Sequence, residues 1–219
     1  MAMKLISVNV SPPVEVQHES KLIMTGIFKK PVAGPIRVSR SNLEGDGQAD
    51  LVNHGGEYKA VYAYSLDHYG YWRGVLNREQ MPYGQFGENL TVAGLDEADS
   101  CIGDQLQIGS ASFTVTQPRV PCFKLGIRVG EKKMPRLFSQ SARTGFYLRV
   151  LHEGVIEAGD AMHLVQRGHG NVSIKTLFEA WLRPVEKDSA RTLARGLEVP
   201  ELSPEWRAHI EKRLQYVQK

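Results

Sequence analysis

The sequence predicts a mainly β protein: a closed, barrel-like sheet interrupted by a few helices and followed by a small three-helix subdomain. Up to about residue 167, short apolar segments alternate with polar positions between glycine and proline turns, which is typical of sheets that close to remove exposed edges. After Arg167-Gly168-His169-Gly170, apolar residues recur at helical spacing instead. We therefore expect a barrel domain over residues 1–167 and a helical subdomain over residues 171–219.

Several segments have the alternation and composition of strands. They are residues 1–10, 21–28, 36–40, 60–64, 89–92, 112–116, 147–151 and 162–165. Residues 102–108 and 158–164 resemble one another, because each has a Gly-Asp turn followed by an alternating apolar strand. This internal echo predicts two equivalent hairpins in one barrel.

The predicted helices lie in two groups. In the barrel, Ser65 is placed to cap a helix over 66–76, and a second covers 131–141 with Pro135 in its first turn. The subdomain has a helix over 172–182, a second that begins at Asp188 or Ser189, and a third that Ser203-Pro204-Glu205 opens and that reaches about residue 217.

Composition excludes several classes of protein. At 219 residues, with 42% hydrophobic residues and a net charge of +3, the chain has neither the apolar run of a membrane span nor the basic excess of a nucleic-acid binder. Cys101 and Cys122 are the only cysteines, which speaks against a disulfide scaffold and predicts a cytoplasmic protein. Lys29-Lys30 and Lys132-Lys133 are predicted as solvated surface, and localised cationic pockets for a phosphate stay open as an alternative.

Cys122 is the strongest candidate for chemistry. It lies in Gln117-Pro118-Arg119-Val120-Pro121-Cys122-Phe123-Lys124, where two prolines favour an extended approach and two cations flank the sulfur. Nearby cations favour the thiolate, which suits a nucleophile or a soft-metal ligand. A buried structural cysteine explains the segment equally well, since free cysteines are often buried. Cys101, beside Ile102 and without adjacent cations, is predicted as a core residue.

Two further segments contain polar groups at turns. His54-Gly55-Gly56 followed by Lys59 offers backbone N–H groups and a cation to a phosphate, although a plain β-turn explains it better on sequence alone. Gly87-Glu88-Asn89 places a carboxylate and an amide at the start of a strand, where turn chemistry is an equal explanation. A thiol dyad of Cys122 with His54 stays open, and the histidine spacings do not predict a zinc or calcium site.

Taken together, these segments resemble the MOSC domain (molybdenum cofactor sulfurase C-terminal domain). The resemblance is carried by the stretch 42–50, His54-Gly55-Gly56 with 59–64, Phe86-Gly87-Glu88-Asn89-Leu90, Ile102-Gly103-Asp104 and the Cys122 segment, in the order expected of the family. It extends over essentially the whole chain in the bacterial YiiM-like branch, whose members add a three-helix subdomain to the barrel.

The resemblance implies a function. It implies that Cys122 is the catalytic residue and ligates the molybdenum of a pterin cofactor (molybdopterin), and that His54, Gly55, Gly56, Lys59, Asn89 and Arg119 bind that cofactor. It implies the reduction of N-hydroxylated small molecules, such as hydroxylamino purine analogues, as a detoxification. An external electron donor, a reductase or a ferredoxin-type protein, would supply the electrons. Pyridoxal phosphate binding is a further property attached to the domain family.

Alternatives of other classes remain open at this point. Cys122 could carry a persulfide in a sulfur carrier or transferase, which needs the same thiolate. The chain could also be a cofactor-binding module without catalysis. We expect no nucleic-acid or membrane partner, and a homodimer is possible. The helical subdomain is compatible with a dimer contact, a lid or a docking site for the electron donor.

Overall fold

The structure is a computed structural model that describes residues 3–50 and 55–215. These residues form twelve strands, six α-helices and a short 3-10 turn at Glu57–Lys59. The strands are β1 (Met3–Val10), β2 (Val14–His18), β3 (Lys21–Thr25), β4 (Lys30–Val32), β5 (Ile36–Val38), β6 (Val61–Ser65), β7 (Leu90–Ala93), β8 (Gln105–Ile108), β9 (Ala111–Pro118), β10 (Phe146–His152), β11 (Gly154–Ile156) and β12 (Ala161–Gln166). The helices are α1 (Asp67–Val75), α2 (Phe123–Val129), α3 (Met134–Ser141), α4 (Ile174–Leu182), α5 (Lys187–Leu197) and α6 (Pro204–Gln215).

Seven of the strands form a closed barrel, which confirms the predicted fold class. The ring runs β12–β8–β9–β10–β6–β7–β1 and closes by pairing β1 with β12, where Met3 faces Met162. Only the β6–β7 pair within this ring is parallel. Strand β4 pairs with the free part of β1, while β2–β3 and β5–β11 form separate two-stranded sheets. Closure satisfies the backbone groups that an open sheet would leave at its edges.

The two similar sequence segments, 102–108 and 158–164, include residues of two neighbouring strands of the barrel. β8 and β12 pair antiparallel with each other, with Leu106 opposite Leu164. The turns before them contain Gly103 and Gly159, whose φ angles of 84° and 107° lie in a region that side chains rarely adopt. The repeated Gly-Asp pattern therefore reflects one turn geometry used twice.

The chain has two hydrophobic cores, separated by β6. Val61 and Ala63 belong to the first core, which the barrel shares with the C-terminal helices, whereas Tyr62 and Tyr64 belong to the second. The second core is rich in aromatic rings and packs α1, α2 and α3 against the barrel. Because successive residues of a strand point to opposite faces, β6 is buried on both sides.

The C-terminal region consists of three helices, as predicted, and packs closely on the barrel. Trp206 of α6 is fully buried in the core that the barrel provides, and the Ser203 N–H donates to the Thr116 carbonyl of β9 at 3.3 Å. In the connecting segment, a Cβ on Gly168 would lie 2.0 Å from the Ile102 carbonyl oxygen. The connection is therefore tightly packed, and the division at residues 167–171 stays a prediction.

The main difference from the predicted elements is a helix directly after Cys122. Helix α2 was not predicted, because Gly126 and the β-branched Ile127 and Val129 have low helix propensity. Burial of Leu125 and Val129 in the aromatic core stabilises it instead. The neighbouring α3 begins at Met134, later than the predicted residue 131, with Pro135 in its first turn as expected.

Candidate functional site

Cys122 lies where β9 gives way to α2. Its backbone is extended, with φ of −120° and ψ of 174°, and its carbonyl accepts the Leu125 N–H at 3.0 Å, so it is the N-cap residue of the helix. Its side chain is half-buried. Two cavities border this residue, and we refer to them as the inner cleft and the outer groove.

The inner cleft has a volume of about 90 Å³ and opens to solvent. Small-molecule and cofactor sites commonly have about 300–1,000 Å³, so the cleft has room for only one part of a large ligand, such as a phosphate group. The polar and aromatic side chains that line it are Thr25, Lys29, Asp46, Gln48, Asp50, Lys59, Tyr62, Asn89, Arg119, Cys122, Lys124 and Tyr147. The cleft therefore brings together the predicted site residues Lys59, Asn89, Arg119 and Cys122.

Arg119 is a buried cation in the wall of this cleft. It is 5% exposed, its Nη1 donates to the Tyr62 hydroxyl at 3.4 Å, and its guanidinium lies 4.8 Å from the centre of the Tyr62 ring. No carboxylate pairs with it anywhere in residues 3–50 and 55–215. Burial acts to lower the pKa of Arg119, but Tyr62 and Tyr147 act against it, and the pKa lies above its usual value. Cys122 acts in the same direction as these tyrosines, so its sulfur is close enough to interact electrostatically with the guanidinium.

The structure corrects the prediction that Lys29 is solvated. Lys29 is 7% exposed and forms an ion pair with Asp46, while Lys30 is exposed as predicted. Burial lowers the pKa of Lys29, and the facing carboxylate of Asp46 opposes this shift only in part. Asp46 also accepts the Ser11 N–H at 2.9 Å. This pairing was not predictable from the sequence, because Lys29 and Asp46 are brought together only by the fold.

Asn89 contacts the cleft wall through every polar atom of its side chain. Its Oδ1 accepts the Tyr62 N–H at 3.0 Å, and its Nδ2 donates to Asp46 Oδ2 at 2.9 Å and to the Asn9 carbonyl at 3.3 Å. These contacts tie together the starts of β6 and β7 and the loop that contains Asp46. The geometry therefore points to a residue that positions the cleft, and its predicted contact with a cofactor stays a prediction.

Lys59 connects the barrel to the C-terminal helices. It is 9% exposed, and its Nζ forms an ion pair with Glu205 in the first turn of α6. The 3-10 turn that carries Lys59 is held by Gln48, whose Oε1 accepts the Gly56 N–H at 3.1 Å and whose Nε2 donates to the Lys59 carbonyl at 3.3 Å. The sequence pointed to Lys59 as a cation but not to its acidic partner.

The remaining predicted site residues are placed differently. Gly55 and Gly56 precede the 3-10 turn and do not line the inner cleft. The φ of 89° and ψ of 170° at Gly56 require glycine, but its N–H is already donated to Gln48. His54 lies outside the described residues, so its phosphate contact and its dyad with Cys122 stay predictions.

Tyr62 and Tyr147 are cleft residues that sequence reasoning missed. The Tyr62 hydroxyl donates to the Thr144 carbonyl at 2.7 Å, and the two tyrosine rings lie 5.3 Å apart. Burial raises the pKa of both hydroxyls, and the charge of Arg119 opposes the shift. Both tyrosines therefore present neutral groups to the cleft at neutral pH. The alternation of strand 60–64 placed Tyr62 on one face, but only the fold reveals that the cleft lies on that face.

The outer groove is a second cavity, of about 550 Å³, that also borders Cys122. Apolar side chains form much of it, namely Pro121, Phe123, Ile127 and Pro135. His18 and Glu19 from the turn between β2 and β3 and Lys132 complete its rim. Cys122 therefore separates a cationic cleft from a largely apolar groove.

The described residues contain neither a cluster of metal-binding side chains nor a membrane-spanning helix. No three His, Cys, Asp or Glu side chains cluster as a metal site would require in the described part of the chain. None of the helices within residues 3–50 and 55–215 is long and apolar enough to cross a membrane.

Comparison with known protein families gives two matches. The family model described as the MOSC domain matches residues 50–163, and the model described as the YiiM-like, 3-alpha helix domain matches residues 185–215. The second match falls on α5 and α6 and the segment around them.

Individual relatives extend the similarity over the whole chain. The Bacillus subtilis protein YflK is 41% identical over 209 residues, which cover 95% of this chain and 93% of YflK. A Gibberella moniliformis protein named reductase is 36% identical over 158 residues, covering 69% of this chain but only 28% of the fungal protein. The crystal structure of YiiM from Geobacillus stearothermophilus has a TM-score of 0.81 at 38% identity, and the match covers 97% of this chain and 99% of that one.

Proposed function

Because the chain belongs to the MOSC domain family, in its YiiM-like branch, we propose that it is an oxidoreductase that binds a molybdenum-pterin cofactor and reduces N-hydroxylated compounds to amines. The name of the fungal relative supports the reductase part of this proposal. The observation that carries it is the buried cation Arg119, which faces the inner cleft beside Cys122 with no carboxylate partner in the described chain.

The side chains of the inner cleft fit such a cofactor. A cysteine thiolate is a soft donor and suits molybdenum, so Cys122 would hold the metal. The planar fork of Arg119 matches a phosphate, because a guanidinium donates two parallel N–H bonds to it. Lys59 and Lys124 add positive charge to the same cleft. Asn89 would act indirectly, by keeping Asp46 in place to pair with Lys29.

The division of labour follows from this arrangement. When bound, the cofactor supplies the two-electron chemistry by which a hydroxylamine, two electrons and two protons become an amine and water. Cys122 would anchor the metal, and the buried guanidinium of Arg119 would orient the phosphate. The electrons come from an external donor protein, since the sequence has two cysteines, too few for an iron–sulfur cluster, and no flavin-binding fingerprint.

The test is anaerobic purification from cells that make the cofactor, followed by molybdenum and pterin analysis. We expect the wild-type protein to contain both and to reduce 6-hydroxylaminopurine with a reduced viologen dye as donor. Cys122→Ser should lose molybdenum and activity, because serine is a poor ligand for a soft metal. Cys101→Ser is the matched control, since Cys101 lies outside both cavities, and it should retain the metal.

Two results would contradict the proposal. The first is wild-type protein that lacks molybdenum and shows no reductase activity. The second is a removable extra sulfur on Cys122, found by mass spectrometry in protein without pterin, which would support a sulfur carrier instead. Tight pterin binding without turnover of any hydroxylamine would leave only the cofactor-binding part of the proposal standing.

A further inference from the structure

The position of Cys122 between two cavities raises the question of what the outer groove binds. The inner cleft contains the cations that an anionic cofactor needs, namely Lys29, Lys59, Arg119 and Lys124. The outer groove borders the same cysteine but is formed largely by apolar side chains and by the backbone of Gly126 and Gly130. A ligand in the groove would therefore lie next to Cys122 among apolar side chains.

The charges at the groove rim oppose one another. Lys132 Nζ lies 4.0 Å from Glu19 Oε1 across the rim, and Glu131 Oε1 accepts the Lys133 N–H at 2.8 Å. The backbone N–H of Lys133 carries no charge, so the carboxylate of Glu131 is left in excess at this rim, in contrast to the inner cleft with its excess of cations. This negative charge disfavours a phosphate or a carboxylate in the groove.

An exposed aromatic ring stands at the junction of the groove with Cys122. Phe123 is 52% exposed, and its ring lies 5.7 Å from that of His18 at an interplanar angle of 31°. Leaving a phenylalanine half in water forgoes much of the stabilisation that burial would provide. Aromatic rings at such separations pair favourably with other flat rings in offset geometry.

We propose that the outer groove binds the flat, uncharged aromatic or heteroaromatic body of the substrate, and that Phe123 determines specificity by stacking on it. This proposal rests on the proposed function, which identifies the substrate as an N-hydroxylated compound. Binding of a flat ring in the groove can nevertheless be tested without turnover. In this arrangement the N-hydroxyl group points towards Cys122, and the ring lies away from the cations of the inner cleft.

Turnover by the molybdenum-loaded protein provides the first test. We expect Phe123→Ala to raise KM for 6-hydroxylaminopurine about tenfold with little change in kcat, because stacking is lost before the reaction begins. The values for N-methylhydroxylamine, which has no ring, should stay unchanged. Val120→Ala is the matched control, since Val120 is 39% exposed in the same segment but lines neither cavity.

Binding to the metal-free protein provides the second test. Adenine, the amine that corresponds to 6-hydroxylaminopurine, should give saturation-transfer signals with the wild type and Val120→Ala but weak ones with Phe123→Ala. If the wild type binds adenine in this way but reduces neither compound, the proposed function falls while the groove assignment stands.

Three results would overturn the groove assignment. One is an equal loss for the aromatic and the aliphatic substrate in Phe123→Ala. Another is adenine binding that inorganic phosphate displaces, which would place the ring in the inner cleft. The third is a defect of Phe123→Ala with a protein electron donor but not with a viologen dye, which would make Phe123 part of a protein interface.

Discussion

The inner cleft and the outer groove meet at one cysteine but differ in every other respect. The cleft is lined by Tyr62 and Tyr147 of barrel strands and by the loops beside them, and it contains a buried ion pair and a buried arginine. The groove is formed by α2, the start of α3 and the tip of the β2–β3 hairpin. Under the proposed function, Cys122 would contact two ligands of different polarity, one in each cavity. The barrel supplies charge at fixed positions, and the elements outside it supply apolar surface.

The strands next to the inner cleft and those next to the outer groove also differ in how many neighbours they pair with. The strands behind the cleft are paired with neighbours on both sides in the closed ring, while β2 and β3 pair only with each other. Paired strands buried on both faces resist local opening better than a two-stranded hairpin at the surface. The cleft therefore suits a cofactor that stays bound, and the groove suits a substrate that is exchanged in each cycle.

The largest effect that separates the two cavities should come from Arg119→Met. A buried hydrogen bond to a charged group contributes about 1.5–3 kcal/mol, so the substitution should weaken the binding of inorganic phosphate to the metal-free protein by at least about tenfold. Titration calorimetry measures the effect, and circular dichroism checks the fold. Lys132→Met, at the groove rim, is the control and should leave phosphate binding unchanged. An equal loss of phosphate affinity in both variants would mean that the overall positive charge of the protein, and not the cleft, binds the anion.

The second effect concerns stability at high pH. Burial raises the pKa of Tyr62 in the folded protein, so above about pH 10 the unfolded state loses a proton that the folded state keeps. The free energy of unfolding therefore falls as pH rises, by up to about 1.4 kcal/mol per pH unit for each such tyrosine. Urea unfolding between pH 9 and about 11 should show a smaller slope for Tyr62→Phe. Phe123→Leu in the outer groove should leave the slope as in the wild type, and an unchanged slope in Tyr62→Phe would contradict this account.

The smallest effect should come from Glu205→Gln. Glu205 is partly exposed and offsets the charge of Lys59, so its removal should strengthen phosphate binding in the cleft about two- to fivefold, as expected for an ion pair worth up to about 1 kcal/mol. Glu211→Gln removes the same charge from an exposed position of the same helix and serves as the control. Weaker binding in Glu205→Gln would instead show that the carboxylate is needed to hold Lys59 in place.

Local sequence patterns were sufficient to predict the barrel and the three C-terminal helices. Alternation identified most strands of the ring, and the cap at Ser203 with Pro204 marked the start of α6. Helix α2 was missed because tertiary burial of Leu125 and Val129 overrides a weak local propensity. Such burial is visible only when the aromatic core is assembled.

The candidate site was predictable where chemistry and neighbouring residues coincide in sequence, as around Cys122 and Arg119. It was not predictable where charges meet across the fold. Lys29 was predicted to lie at the surface, because no residue near it in sequence indicates a pairing with Asp46. The partner of Lys59 is Glu205, which lies on a helix at the far end of the described chain. Buried ion pairs of this kind depend on topology, which single-sequence patterns do not encode.

The closure of the barrel by β1 and β12 also determines when the site can form during protein synthesis. Every strand that lines the inner cleft leaves the ribosome before β12 does. The edge of β1 that pairs with β12 stays without this partner until β12 has been synthesised. At about 5–20 residues per second, the nascent chain exposes these edges for several seconds. The closed ring around the cleft can therefore form only after β12 has been synthesised.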